Sequence, residues 1–210
     1  VTVSPLAVDP RSYLLDDVVN VSIELEFVDA DRELAEPPQG SLTAALISPS
    51  GASTSLEVEP SEEGETVTVT STGPVTLDEA GIWLVSLTET DAGHIPGLPL
   101  VVEEIDGWNT LASARRIEWP DAPDDNATLY ELLQSAREQC IEYAPPLPAG
   151  ARVPARWRTA QLKQARAIWA GILTNGAREI GPDGIATSVY TMDVHVQQLL
   201  RPKQGRPRIR

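Results

Sequence analysis

The stretch VVNVSIELEFV, residues 18–28, decides the fold of the first half of the chain. Val19, Val21, Ile23, Leu25 and Phe27 fall on one face of an extended backbone, and Asn20, Ser22, Glu24 and Glu26 on the other. Alternation with period two is the pattern of a strand with one buried face. Working outward, SLTAALISP (41–49) continues the pattern less cleanly, and Pro49 and Gly51 punctuate it as a turn. STSLEVEP (53–60) and EGETVTVTST (63–72) are further short strands, the second with Val67 and Val69 inward. In LDEAGIWLVSLTET (77–90), Ile82 and Leu84 alternate with Trp83 and Val85, so one set faces the core and the other packs under a loop. LPLVVEE (98–104) is the closing strand.

Six or seven short strands with turns between them and no long helical stretch predict two packed antiparallel sheets over residues 1–106. Asp78, Ala80, Gly81 and Trp83 resemble the Asp-x-Ala-Gly-x-aromatic corner of immunoglobulin-like domains. The cysteines that join the sheets of such domains are missing, so the likeness is one of topology, and a generic antiparallel sandwich stands beside it.

Charge divides the chain. Residues 1–110 carry 21 acidic and 2 basic side chains, and residues 111–210 carry 10 acidic and 14 basic, within a whole-chain charge of -15. Such a step predicts two modules with different surroundings. The acidic half is a well-solvated outer module, repelled by a phosphate backbone. The run EVEPSEEGE (57–65) is dense in acid but lacks the spacing of a calcium loop. His94 and His195 are isolated and make no zinc cluster. The single cysteine, Cys140, excludes an intrachain disulfide scaffold and reads as a small core hydrophobe. No run has the length of a membrane span and no basic start precedes an apolar stretch. The absence of an initiator Met implies processing or trimming. Neither a phosphate-cradling glycine loop nor a CxxC or HExxH motif is present, which argues against an enzyme, and no cofactor is expected.

The second half changes period. The boundary is expected in EEIDGWNTL (103–111), with Thr110 capping a short helix, LASARRIEW, that Pro120 ends. Leu129, Leu132, Leu133, Ala136, Cys140 and Tyr143 recur at three- and four-residue steps, the apolar face of a helix. Asp124, Asp125 and Asn126 supply acceptors at its start, and Pro145 and Pro146 stop it. A longer helix follows from Pro154, with Trp157, Leu162, Ala165, Trp169 and Leu173 on its apolar side, broadened by Ile168 and Ile172. Arg156, Arg158, Lys163 and Arg166 ring the other side, and Asn175 and Gly176 are its expected C-cap. The two tryptophans read as core anchors rather than ligand platforms. Gly181, Pro182, Asp183 and Gly184 form a turn, residues 185–190 an extended arm, and 192–200 a brief helix. The helical domain spans 107–189, and 190–210 is a short helix with a basic, proline-stiffened tail.

From Thr110 onward the chain resembles the head-to-tail connector, or adaptor, proteins of long-tailed bacteriophages, above all those infecting actinobacteria. Three segments carry the resemblance, in order. In TLASARRIEWPDAPDDNATLYELLQSAREQCIEYAP (110–145), Trp119, Pro120, Asp121, Pro123 and Asp124 precede the helix and Tyr143, Ala144 and Pro145 close it. In RWRTAQLKQARAIW (156–169), Trp157, Ala160, Ala165, Arg166 and Trp169 fall on the matching positions. In YTMDVHVQQLLRPKQGRP (190–207), Met192-Asp193 and the run from Leu199 to Lys203 are the most characteristic. The acidic first half lies outside the resemblance.

The resemblance implies a helical adaptor domain with an extended C-terminal arm, which, after the immunoglobulin-like sandwich read from the alternation of the first half, makes an α+β chain. It also implies a structural role in the virion neck, after assembly in the host cytoplasm. Such adaptors form rings, commonly dodecameric, below the portal protein. They extend the channel for genomic DNA without reading its bases, and meet the next connector or tail terminator. Mapped here, portal or subunit docking falls to Tyr190, Met192, Leu199, Leu200, Arg201, Pro202, Lys203, Arg206, Arg208 and Arg210, with Leu199 and Leu200 entering an apolar groove of the partner. Ring or core packing falls to the helix faces spanning Leu129 to Tyr143 and Trp157 to Leu173. Two rivals belong to other classes. One is a surface module that binds a host glycan or capsid protein and is anchored by the helices. The other is a DNA-binding protein, suggested by the basic tail but unsupported by any aromatic residue after Tyr190.

Overall fold

The computed structural model describes residues 4–7, 12–28, 34–35, 41–60, 66–89, 93–117, 119, 121–173 and 192–202. The chain divides into two compact units, Val1–Ile105 and Asp106–Arg210.

The first unit is one curled β-sheet with a small ribbon. Its strands are β1 (Ser4–Ala7), β2 (Ser12–Leu14), β3 (Val18–Val19), β4 (Ser22–Val28), β5 (Leu34–Ala35), β6 (Leu42–Ile47), β7 (Ser53–Pro60), β8 (Val67–Ser71), β9 (Val75–Thr76), β10 (Gly81–Glu89) and β11 (Gly93–Glu103). The main sheet runs β1-β4-β8-β7-β6-β10-β11-β2, with β5 also on β4, while β3 and β9 pair separately. All pairs are antiparallel except β11 with β2. β1 returns beside β11 without joining its ladder, so the sheet curls and stops short of closing. The two separate sheets expected from the sequence are therefore one sheet. Strand twist accumulates along it until one apolar face folds onto itself.

The alternation in 18–28 divides between two strands. Val18–Val19 belongs to the ribbon, and only from Ser22 does the chain enter the main sheet. Val21, Leu25 and Phe27 are almost fully buried and pack in one core with Leu46, Leu56, Val67, Val69, Trp83, Val85, Leu87 and Leu100. Trp83, Val85 and Leu87 are thus the inward set of β10, and Ile82 and Leu84 the half-buried one.

The Asp78–Trp83 corner has a physical basis. The Trp83 indole N–H donates to the Glu79 carbonyl at 2.9 Å, and the Glu79 carboxylate accepts from the Ser50 amide, the Ser50 hydroxyl and the Ser48 hydroxyl. One residue thereby ties the β6–β7 turn to the start of β10. The Ser50 hydroxyl leads in holding that carboxyl below its ordinary value. The stabilisation is present above pH 4.5 and lost as pH falls through the lowered value. Gly81 sits at φ 143, and a Cβ there would lie 3.0 Å from Pro49 Cγ. At Gly97 a Cβ would come within 2.7 Å of the Leu84 side chain, so the β10–β11 pairing depends on its absence.

The second unit holds α1 (Leu111–Ile117), α2 (Asn126–Tyr143), α3 (Ala155–Leu173) and α4 (Val194–Leu200). Thr110 and Ser113 cap α1 reciprocally: each amide donates to the other's hydroxyl. Asp125 caps α2, accepting from the Thr128 amide at 2.7 Å, and Asp193 caps α4, accepting from the His195 amide at 2.6 Å. The expected cap at Asn175 and Gly176, and the turn and arm over 181–190, lie outside the described residues.

Candidate docking surface of the helical unit

Two sets of side chains were expected to carry function, a packing set on α2 and α3 and a docking set after Tyr190. Of the packing set, Leu129, Leu132, Leu133, Ala136, Cys140, Trp157, Leu162 and Ala165 are buried. Tyr143 and Trp169 are half-buried, and Leu173 is 64% exposed. Leu173 therefore does not belong to this chain's core. Every buried residue of α3 falls between Trp157 and Ala165, and the last two turns run on with Ile172 also exposed.

The centre of the unit is Trp157, at 3% exposure. It packs with Cys140 and Ala144 of the α2 end, Ala160 of α3, and Val196 and Leu200 of α4, and its ring lies 6.2 Å from that of Trp108. Burial pushes the Cys140 thiol up to about 12 from 9.0, so at neutral pH the group is a protonated core atom rather than a nucleophile. Because the unfolded thiol ionises first, its contribution to stability is lost as pH rises from about 9 through 12.

Polar groups fix the arrangement of the helices. The buried Gln161 side chain donates to the Leu133 carbonyl at 3.0 Å and accepts from the Asn109 amide and side chain, which joins the α1 entry, α2 and α3. Gln164 donates to Gln139 at 2.7 Å, and Arg137 pairs with Asp106. The Arg115 guanidinium donates to Asn126 Oδ1 and to the Pro123 and Asp124 carbonyls. That fork explains why Trp119, Pro123 and Asp124 form a fixed entry to α2: Trp119 and Pro123 are buried, and the loop backbone is held by Arg115. Sequence reasoning missed Arg115 and Gln161, because a buried polar group is recognisable only once its partners are adjacent in space.

In the docking set the largest correction concerns the leucine pair. Leu200 is fully buried in this chain's own core, so it is not available to a partner's groove, and Leu199 is partly buried against the same cluster. Val196 and Leu200 are one helical turn apart, and α4 uses that stripe to seat on α2 and α3. Met192 is likewise partly buried against this cluster. Arg201 and Pro202 are exposed where the chain leaves α4. Tyr190, Lys203, Arg206, Arg208 and Arg210 lie outside the described residues.

Where α4 ends, an open cleft of about 350 Å³ is lined by Gln139, Glu142, Tyr143, Met192 and Arg201. The Arg201 guanidinium carbon stands 4.8 Å over the Tyr143 ring, a cation–π contact. The Tyr143 hydroxyl donates to Gln197 Oε1 at 3.2 Å, and the Gln197 side chain donates to the Met192 carbonyl at 2.8 Å. Tyr143 thus holds the middle and the C-terminal end of α4, and the first basic residue of the tail is held at the surface.

Among the described residues, no group of His, Cys, Asp and Glu side chains could hold a metal ion, and no helix is long and apolar enough to cross a membrane. No protein-family profile matches the sequence, and no curated protein matches it. Among solved structures, the Lin-41 filamin domain is similar at 14% identity, with a TM-score of 0.32 over 48% of this chain and 91% of that one. A likeness at that level carries no argument about function.

Proposed function

We propose that the chain is a structural neck protein of a long-tailed bacteriophage. In this reading it forms an adaptor ring between the portal and the downstream connector or tail, and extends the DNA channel. One observation carries the reading: three segments of the connector pattern occur in order between Thr110 and Pro207. In support, the segments meet physically. Trp119 and Trp157 are buried anchors, and Met192, Leu199 and Leu200 return to the helix ends that Tyr143 closes. The basic segment then leaves from an exposed Arg201. In this reading the first unit is an immunoglobulin-like domain, its single sheet curled around one core, displayed on the outside of the ring. Its inward Trp83 at the glycine corner and its high acidity, unsuited to a DNA-facing lumen, support that placement.

Deleting residues 1–105 tests the assignment. The remaining chain begins at the second compact unit and keeps the Asp106–Arg137 pair. It is expected to retain its helical circular dichroism and to co-sediment with portal. Particles that then join heads to tails but adsorb poorly would assign the sandwich to recognition, and full heads without tails would assign it to the connector. A folded helical unit that fails to bind portal contradicts the proposal.

A further inference from the structure

The helix α3 has an exposed side with no acid in it. Ala155–Leu173 contains four basic residues and no Asp or Glu, and Arg156, Lys163, Arg166, Ala167 and Ala170 are exposed. The three cations stand on one stripe of the helix over small alanines, so another surface can come close to the backbone.

The β unit carries the counterpart. On the outward face of β4, β8 and β7, the register sets Glu24 opposite Thr68 and Thr68 opposite Glu59. One step along, Ser22 faces Thr70 and Thr70 faces Glu57. Glu24, Glu57 and Glu59 are exposed, and these three strands contain no Lys or Arg. The result is a strip of threonine on the outward face of the curled sheet, with glutamates along both sides. Spacing also matches. Arg156 and Lys163 are about 10.5 Å apart along a helix axis, and Glu24 and Glu59, two strands apart, are about 9.6 Å apart across the sheet. A helix crossing the strands sets one cation over each acidic row.

We propose that the α3 face of one copy docks on the β4-β8-β7 face of a second copy of this chain. Two different surfaces meet, so the contact is head-to-tail, the type of interface that closes into a ring. Each copy offers one donor and one acceptor surface. The inference rests on the ring reading and supplies its subunit contact.

The test is a charge swap made in trans. The wild-type protein is expected to associate in a concentration-dependent, salt-sensitive way in sedimentation velocity at low ionic strength. R156E/K163E alone and E24K/E59K alone are each expected to weaken that association by about a hundredfold, because like charges then face one another. Mixing the two variants restores it, since each swapped face meets its swapped counterpart and each native face its native one. Restoration also shows that both variants are folded. A wild-type chain that stays monomeric at low salt, variants that associate like wild type, or a mixture that fails to recover overturns the contact. The ring reading is judged separately: necks that carry normal numbers of the R156E/K163E chain keep the ring and remove this contact.

Discussion

Replacing Trp157 by alanine is expected to destabilise the helical unit by about 3–5 kcal/mol. The indole is almost completely buried and is the largest side chain of the core cluster that joins α2, α3 and α4. Its removal leaves a cavity beside Cys140 and Ala144 at the end of α2 and Val196 and Leu200 of α4, which sit on two separate helices and cannot all collapse into it. Domains of this size are stable by only about 5–15 kcal/mol, so the loss is a large part of the total. Urea unfolding of the full chain, followed by helical circular dichroism, reads it directly because the other unit contributes strands. Arg156→Ala, on the exposed side of the same helix, is the control and should change stability by less than about 0.5 kcal/mol. A Trp157→Ala loss below about 1 kcal/mol would show that α4 is not seated where described.

On the neck reading proposed above, removing residues 203–210 is expected to abolish most portal binding with no loss of stability. The cut takes away Lys203, Arg206, Arg208 and Arg210, four of the five cations after Leu200, and leaves the Leu200 core and the Arg201–Tyr143 contact in place. Proline fixes its own φ, so the two prolines in the sequence of this end, Pro202 and Pro207, lower the entropy lost on docking. The position of the cut matters. Truncation before Leu199 would also remove a fully buried leucine, and the binding defect would then be inseparable from unfolding. Co-sedimentation with portal in nuclease-treated extracts is the measurement. Full binding by the shortened chain would assign the tail to solvent. Binding by the intact chain that disappears on nuclease treatment would assign it to DNA.

How much of this was legible in the sequence depends on the range of the interaction. The inward set Val21, Ile23, Leu25 and Phe27 was legible, because period two is local. So were the α2 face and its Asp125 cap, because both are written within one or two helical turns. The single curled sheet was not. It depends on the unbroken run of ladders β4-β8-β7-β6-β10-β11, and alternation within a strand does not say which other strand it pairs with. The role of Leu200 was misread for a related reason. An apolar pair before a basic, proline-rich end looks like an anchor for a partner until the chain is seen to return to its own Trp157. Gln161 and Arg115 carry ordinary polar signals and act through partners distant in sequence.

The central claim is that this chain forms a ring under the portal, and imaging of isolated necks tests it most directly. The account predicts a closed ring of equivalent copies against the portal, with the helical unit around the channel, the tail running toward the portal and the acidic β unit at the rim. Necks without density for this chain, or a single copy at the tail tip, would contradict it.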